Sequence, residues 1–415
     1  MKLLVKLATF QENKLRMGTI MNFKLKSAKI SNFKSLGDVE LKFRDLTILV
    51  GANSSGKSNS LEALDFLKIL ILNQSTPPIN FMDKILRLDA EQISYEIVVE
   101  DDDNNNAKYN IAIKVEQNHA LINREQLIVN GIEVIDITNG EGTVNDENGD
   151  NSQKYISDSD GDGLALRTAG NYGNKPLTKK FASYIKDWRF YDIDPDSVRS
   201  YSDVIVQLGK NISKPRQVKN IAPSLNPSAS KAQEILEYWA INEKDKFYEI
   251  SQELQDCLKI SLNVVEEREP IITVLEEDGK EIPLSNMSDG TLRVIAYFIL
   301  LYQSDIPTLI GIEEPERNFH PGILKDVASI IKRVSKRTQV IFTTHSSQLL
   351  DCFSPEEISS EISVILLSKK GQLGTKACLL DKLVESRDDL LDWMTDFGLG
   401  SAIYHSHLIE EILAA

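Results

Sequence analysis

Residues Gly51–Ser58 read GANSSGKS: two glycines with four residues between them, then a lysine and a hydroxyl residue. This is the spacing of a P-loop, in which the glycines let the backbone turn tightly and direct its N–H groups at phosphate oxygens. Lys57 is expected to reach the β- and γ-phosphates, and the Ser58 hydroxyl to ligate Mg²⁺. The residues predicted to contact a nucleotide are Gly51, Asn53, Ser54, Ser55, Gly56, Lys57, Ser58 and Asn59.

The neighbouring sequence supports this interpretation. An apolar, β-rich run, Leu46–Val50, comes directly before the motif. After it, Asn59–Leu72 has apolar residues at three- and four-residue steps, which is typical of a helix. The motif requires this order of strand, loop and helix, because the helix N-terminus then faces the anion. The alternative, a glycine- and serine-rich surface turn, would not need such a context.

The composition is that of an acidic globular protein. The 415 residues are enough for two or three domains, or for one composite domain with an insertion. A net charge of −15 disfavours extensive contact with nucleic acid unless basic residues are segregated. Cys257, Cys352 and Cys378 form no CxxC pair, which indicates core thiols in a reducing cytoplasm and no zinc site. The longest apolar run, Val294–Tyr302, is too short to span a bilayer, so no membrane partner is expected.

The N-terminal third is rich in strand-like segments. Residues 1–21 are expected to form a disordered extension, and residues 23–43 to form two strands around a turn. Four further runs predict an antiparallel meander beside the nucleotide-binding sheet: Ile93–Glu100, Lys108–Val115, Ala120–Val129 and Ile132–Ile137. Residues 139–163, rich in Asn, Gly, Asp and Ser, predict an irregular loop.

Two polar segments in the middle of the chain allow alternative interpretations. Asp158, Asp160 and Asp162 imitate half of a calcium-binding loop, but its twelfth position is Ala169, so a solvated acidic loop is favoured. A Pro- and Ser-rich stretch carries the basic residues Lys210, Lys214, Arg216 and Lys219, for which a linker is favoured over nucleic-acid contact. The remaining predictions are helices at Leu177–Trp188 and Lys231–Leu258, and a strand at Arg189–Asp192.

A segment in the C-terminal half resembles an anion site at a helix N-terminus. Ser288-Asp289-Gly290-Thr291 follows a predicted hairpin and leads into an apolar helix at Leu292–Tyr302. Ser288 and Gly290 could offer a hydroxyl, N–H groups and the positive helix end to a phosphate. The same residues also fit a simple N-cap, so both interpretations remain open here.

Two predicted strands end in chemically active residues. Thr308–Ile312 runs into Glu313 and Glu314, which is the Walker B arrangement. Glu313 is expected to hold the hydration shell of Mg²⁺, and Glu314 to orient or deprotonate the attacking water. Gln339–Thr344 ends in His345, which is placed to donate to the γ-phosphate and sense its loss.

Taken in this order, the motifs resemble the ABC-type ATPase heads of the RecF, SMC and OLD group, especially stand-alone bacterial AAA-family ATPases without a Toprim domain. The resemblance covers residues 23–403 and includes the segments Ile30–Leu36 and Asp396–Ile403. It implies an α/β fold of P-loop NTPase type, with a mixed central sheet, an antiparallel β subdomain and a helical lobe. It also implies a head-to-tail dimer around ATP: Lys57, Ser58, Glu313, Glu314 and His345 serve one nucleotide, and Ser288 and Gly290 of the second copy close on its γ-phosphate.

The chain departs from the family in two respects. The glutamine loop is not identified, and Gln74 and Gln92 are its candidates. Only 70 residues follow His345, without an acidic cluster of the Toprim kind, so no nuclease is predicted in this chain. We divide the chain into an N-terminal extension (1–21), an ATPase lobe with P-loop and meander (22–137), an insertion and helical lobe (138–260), an ATPase core (261–375) and a C-terminal segment (376–415).

The expected function is an ATPase switch, requiring ATP and Mg²⁺, that controls a separate effector, a nuclease or toxin, in bacterial antiphage defence. A RecF-like DNA-binding repair ATPase is the first alternative; the basic stretch favours it and the net charge disfavours it. A transporter ATPase is the weakest, because the segment around Ser288 lacks the usual glycine pair and glutamine.

Overall fold

The computed structural model describes residues 23–73, 75–116, 119–157, 163–199, 222–266, 270–358 and 361–405. Several predictions fall outside these ranges: the N-terminal extension, the candidate calcium ligands, the basic stretch at 210–219 and Gln74. Among the described residues, no helix combines the length and apolar character needed to cross a membrane.

The described strands are β1 (Lys24–Phe33), β2 (Leu36–Lys42), β3 (Leu46–Val50), β4 (Gln92–Glu100), β5 (Asn106–Glu116), β6 (His119–Val129), β7 (Ile132–Thr138), β8 (Glu141–Val144), β9 (Gln153–Ile156), β10 (Arg189–Tyr191), β11 (Ile260–Glu266), β12 (Pro270–Glu276), β13 (Glu281–Pro283), β14 (Leu309–Ile312), β15 (Gln339–Thr344), β16 (Ile362–Lys370) and β17 (Gly374–Leu379). The described helices are α1 (Lys57–Leu72), α2 (Ile79–Ile85), α3 (Leu166–Ala169), α4 (Pro176–Lys186), α5 (Ala232–Asn242), α6 (Lys244–Leu258), α7 (Asp289–Tyr302), α8 (Leu324–Ser335), α9 (Ser347–Leu350), α10 (Leu380–Ser386), α11 (Asp388–Phe397) and α12 (Leu399–His405).

Fourteen of these strands form one mixed sheet in the order β10-β14-β15-β3-β16-β17-β2-β1-β4-β5-β6-β7-β8-β9. The first five strands run parallel, and most of the others pair antiparallel. The predicted mixed α/β fold is thereby confirmed. The five-segment division stays a prediction, and its segments 22–137 and 261–375 both supply strands to this sheet.

The central strands β3, β14 and β15 are buried on both faces, as their mainly apolar sequences predict. In β3, Ile48 and Val50 belong to one hydrophobic cluster with α7 and α8, whereas Leu49 belongs to a second cluster with α1 and the meander. The sheet therefore lies between two cores, one on each side of the P-loop strand.

The four meander strands are confirmed, but they do not form a separate sheet beside the first. β4 pairs antiparallel with β1, so the meander extends the nucleotide-binding sheet. Their inward side chains are buried, with Ile97, Tyr109 and Leu127 at 0% exposure, because this face packs in the same cluster as α1 and α4.

Two other local predictions were wrong. The segment 139–163 is not wholly irregular, because β8 pairs with β7 and β9 with β8 through backbone groups that its polar composition does not reveal. The long helix at Lys231–Leu258 is interrupted at Glu243, which has a non-helical backbone. The predicted hairpin before Ser288 is confirmed as β12–β13, and a further strand, β11, joins it in a second small sheet. The three cysteines are free but only half-buried, at the margin of the core.

Candidate functional site

The predicted site residues converge at one edge of the sheet. Because β3, β10, β14 and β15 run parallel, their carboxyl ends meet at the same edge. These ends lead into the P-loop, Asp192, Glu313 and His345, respectively. Ligands of open α/β sheets bind at such an edge.

Two residues of the P-loop have left-handed backbone conformations, and one of them is a glycine. Gly56 has φ +106°, and Ser54 has φ +65°. Lys57 begins α1, and its Nζ donates to the carbonyl oxygens of Gly51 (2.8 Å) and Ala52 (3.0 Å). Burial lowers the pKa of Lys57, and the carboxylates of Glu314, Glu316 and Glu313 oppose that shift. The lysine therefore lies within the field of three carboxylates.

The hydroxyl side chains of Ser35 and Thr375, which we call the wall, lie against this loop. Thr375 Oγ1 donates to the Ser55 carbonyl oxygen (2.9 Å) and contacts Ser35 Oγ (2.9 Å). Asn59 Nδ2 donates to the same Ser35 Oγ (2.7 Å), so the Asn59 side chain faces the β1–β2 turn. A Cβ on Gly56 would lie 2.4 Å from Thr375 Oγ1. Only glycine fits between the loop and this wall without a shift.

The two predicted metal-binding groups are direct neighbours. Ser58 Oγ donates to Glu313 Oε1 across the gap between α1 and β14. A hydroxyl and a carboxylate are the hard oxygen donors that Mg²⁺ uses together with phosphates and water. Among the described residues, no group of three or more His, Cys, Asp or Glu could hold a metal by itself. The donor set at Ser58 and Glu313 fits a Mg²⁺ ion whose remaining ligands come from a nucleotide and water.

Glu314 is held at both carboxylate oxygens. Its Oε1 lies 2.9 Å from His345 Nδ1, and its Oε2 accepts from Arg317 Nη2 (3.3 Å). Its backbone N–H donates to Thr343 Oγ1 (3.1 Å) in the neighbouring strand, and its φ is +41°. The structure thus places Glu314, which is predicted to orient the attacking water, next to His345, which is predicted to sense the γ-phosphate.

A third carboxylate in the same turn has no role in the sequence pattern. Glu316 is 9% exposed; its Oε1 accepts from Thr344 Oγ1 (2.6 Å) and the His345 N–H (3.3 Å). Its Oε2 is buried without a hydrogen-bond partner, and burial raises the pKa of the Glu316 carboxyl. Glu316 therefore fixes the end of β15 that carries His345. Its position two residues after Glu314 was the only available signal.

Asp192 and Arg317 are also part of the site, although sequence reasoning missed them. Arg317 Nη1 donates to Asp192 Oδ1 (3.1 Å), while its other nitrogens reach Glu314. Asp192 directly follows β10, the parallel strand next to β14. Gln92, by contrast, begins β4 in the antiparallel part of the sheet.

Ser288 is the N-cap of α7, because its Oγ accepts from the Thr291 N–H (3.2 Å). It is also exposed, at the N-terminus of a helix of 14 residues. Gly290 packs against Phe319, whose ring would lie 3.2 Å from an added Cβ. Within the part of the chain that the structure describes, Ser288 hydrogen-bonds to its own helix and not to the P-loop. Ser288 can therefore cap its own helix while the N-terminus of that helix stays exposed to an anion.

Comparison with known proteins gives two family matches and several similar folds. The model of the family described as "AAA domain, putative AbiEii toxin, Type IV TA system" matches residues 140–351, and that of "AAA ATPase domain" matches residues 23–192. No curated protein matches the chain.

Three solved structures of SMC heads resemble this chain. The SMC head domain from Thermotoga maritima is 14% identical over 86% of this chain and 98% of its own, with a TM-score of 0.45. An SmcHead bound to the C-winged helix domain of ScpA is 14% identical over 87% and 99%, with a TM-score of 0.49. An Smc head domain bound to the C-terminal domain of ScpA derived from Pyrococcus furiosus is 13% identical over 89% and 99%, with a TM-score of 0.47.

Proposed function

The chain belongs to the AAA-domain family whose model matches residues 140–351, and from that premise we propose that it is an ATP-hydrolysing switch. In this proposal, ATP closes one copy head to tail on a second copy, and hydrolysis reopens the pair. The closed state controls a separate effector. The observation that carries the proposal is the convergence of the P-loop, Glu313, Glu314 and His345 at one sheet edge.

The contacts in the site support a division of roles. Lys57 and the P-loop N–H groups would bind the phosphates, while Ser58 and Glu313 would hold Mg²⁺. Bound there, the ion would supply positive charge that neutralises the charge developing on the phosphates during hydrolysis. Glu314 would orient the attacking water and accept its proton. With Nδ1 bound to Glu314, His345 keeps its other ring nitrogen for the γ-phosphate.

The proposed pairing has its own support at the N-terminus of α7. Ser288 is exposed there and has no contact with its own P-loop among the described residues. A helix N-terminus combines unpaired N–H groups with a positive dipole end, so it favours a phosphate. If Ser288 and Gly290 contact ATP, the nucleotide is that of a second copy.

The proposed biological setting rests on the family rather than on the geometry. The matching family description names an AbiEii toxin of a type IV toxin–antitoxin system. Together with the resemblance to stand-alone ATPases, this supports a role in antiphage defence with a nuclease or toxin as the effector.

The variant Glu314→Gln tests the switch. It removes the proton acceptor but keeps the shape, so we expect ATP hydrolysis to fall by at least ~100-fold, the size of a general-base contribution. With ATP and Mg²⁺, light scattering after size exclusion should give twice the 46.6 kDa mass of the chain. The exposed residue Glu277 supplies the matched control, Glu277→Gln, which should behave like the unmodified protein. A Glu314→Gln protein that binds ATP but stays monomeric would refute the pairing, and undiminished hydrolysis would refute the role of Glu314.

A further inference from the structure

Residues 192–199, which follow β10, connect the hydrolysis end of the site with the N-terminus of α7. The segment is anchored by the side chains of Ile193 and Val198, which are 1% and 2% exposed. The Asp194 N–H donates to the Ser228 carbonyl oxygen (3.3 Å), and residues 195–199 are helical. The Asp194 carboxylate also accepts from the Asp196 N–H (3.1 Å) and from Ser197 Oγ (2.7 Å), so the backbone is fixed on the core without help from Arg199.

Arg199, at one end of this segment, contacts the residues on both sides of Ser288. Arg199 Nη2 donates to the Met287 carbonyl oxygen (3.0 Å) and to Asp289 Oδ1 (2.5 Å). Its Nη1 donates to Asp196 Oδ1 (2.7 Å). The contact with Asp289 raises the pKa of the Arg199 guanidinium, so the positive charge is secured. A planar guanidinium can make these contacts at once, whereas a lysine ammonium lacks the fork.

The aspartate at the other end reaches the hydrolysis residues. Asp192 accepts from Arg317, which also donates to Glu314. The next residue, Asn318, donates from Nδ2 to Asp289 Oδ2 (3.4 Å). Asp289 is therefore held by Arg199 on one oxygen and by the turn that carries Glu314 on the other.

We propose that Arg199 is a positioning residue for the contact made in trans: it holds residues 287–289 so that Ser288 faces the ATP of the second copy. This inference rests on the proposed head-to-tail pairing. Because residues 192–199 contact both Arg317 and Asp289, the hydrolysis site of one copy is physically connected to the surface that it offers to its partner.

The first test uses Arg199→Ala and Arg199→Lys in the Glu314→Gln background. Binding of a fluorescent ATP analogue to the protein's own P-loop should remain within about twofold, while ATP-dependent dimerisation should weaken at least ~10-fold, equivalent to about 1.4 kcal/mol. Asp196→Ala is the matched control, because it removes only the exposed partner of Arg199. Equal dimerisation of all these variants would overturn the inference. Failure of Glu314→Gln itself to pair would instead overturn the proposed function, and the inference with it.

The second test assigns the effect to one subunit. Mixed dimers carrying two different tags combine one Lys57→Ala subunit, which cannot load ATP, with one subunit whose P-loop is intact. Only one composite site then works, and its Ser288 comes from the Lys57→Ala subunit. We expect Arg199→Ala in that subunit to lower ATPase activity at least ~10-fold more than Arg199→Ala in the other subunit. A larger loss in the opposite arrangement, or equal losses, would overturn the role in trans. Urea unfolding of each variant shows whether a general loss of stability has occurred.

Discussion

Replacing Gly56 by alanine should distort the P-loop in a way that the structure allows us to dissect. The new Cβ would lie 2.4 Å from Thr375 Oγ1, 2.9 Å from its Cγ2 and 3.0 Å from Ser35 Oγ. The residue also has φ +106°, where an L side chain is strained. Gly56→Ala therefore loses stability in two separate ways, through backbone strain and through the steric clash with Ser35 and Thr375.

The magnitudes can be estimated separately. A left-handed backbone costs alanine about 1–2 kcal/mol. Displacing Thr375 weakens its hydrogen bonds to the Ser55 carbonyl oxygen and to Ser35, at ~0.5–1.5 kcal/mol each. The smaller conformational entropy of an unfolded chain with alanine returns ~0.4–1 kcal/mol. The net loss should be about 2–3 kcal/mol, which exceeds most point substitutions.

The assay is urea unfolding combined with titration of a fluorescent ATP analogue. Gly131→Ala is the control for backbone strain alone, since Gly131 has φ +82° and nothing within 4 Å of an added Cβ. Thr375→Ala removes the clashing atoms, whereas Thr375→Val keeps the volume. We expect ATP affinity to fall at least ~10-fold in Gly56→Ala. Adding Thr375→Ala to Gly56→Ala should recover part of the lost stability, whereas adding Thr375→Val should not.

A double-mutant cycle tests whether Gly56 and Thr375 interact directly. If the losses for Gly56→Ala and Thr375→Ala add within about 0.5 kcal/mol, the two residues do not contact each other and the proposed wall is refuted. If Gly131→Ala costs as much as Gly56→Ala, strain alone explains the effect and the contact with Thr375 contributes nothing.

Two further predictions concern charged groups. Lys57→Ala should abolish both ATP binding and ATP-dependent pairing, measured by analogue titration and by light scattering; pairing that survives would contradict its role. Glu125 is buried, accepts hydrogen bonds from Tyr109, Ala165 and Leu166, and burial raises the pKa of its carboxyl from 4.5 to about 7. The stabilising contribution of Glu125 is therefore complete below about pH 4.5 and is lost as the pH rises through about 7. Relative to Glu125→Gln, the free energy of unfolding should fall on the order of 2–3 kcal/mol between about pH 5 and about pH 8.5. A pH-independent difference in urea unfolding would contradict it.

The residues of the candidate site could be predicted from the sequence because their signals are local. Lys57 and Ser58 follow a glycine loop, Glu313 and Glu314 end an apolar strand, and His345 ends another. Parallel strands then bring these ends together, which a strand–loop–helix pattern already implies. The structure adds the contacts and not the identities of these residues.

The contacts that orient the site were not accessible in the same way. Thr375 reaches Ser55 across 320 positions, and Arg199 reaches Asp289 across 90. Such pairs carry no periodicity, and each partner alone resembles an ordinary surface residue. The strands β8 and β9 were missed for a related reason, since backbone pairing stabilises them without an apolar pattern.

The turn between β14 and α8 links these orienting contacts to the proposed function. Glu314 and Asn318 both have left-handed backbones, with φ +41° and +66°, although neither is glycine. Glycine at either position would relieve backbone strain and stabilise the fold by about 1–2 kcal/mol, but it would remove a side chain that makes a hydrogen bond. Glu314 contacts His345, and Asn318 contacts Asp289. Strain is thus retained where two contacts leave the same turn, one toward the proposed hydrolysis residues and the other toward the helix end that we propose contacts a second copy.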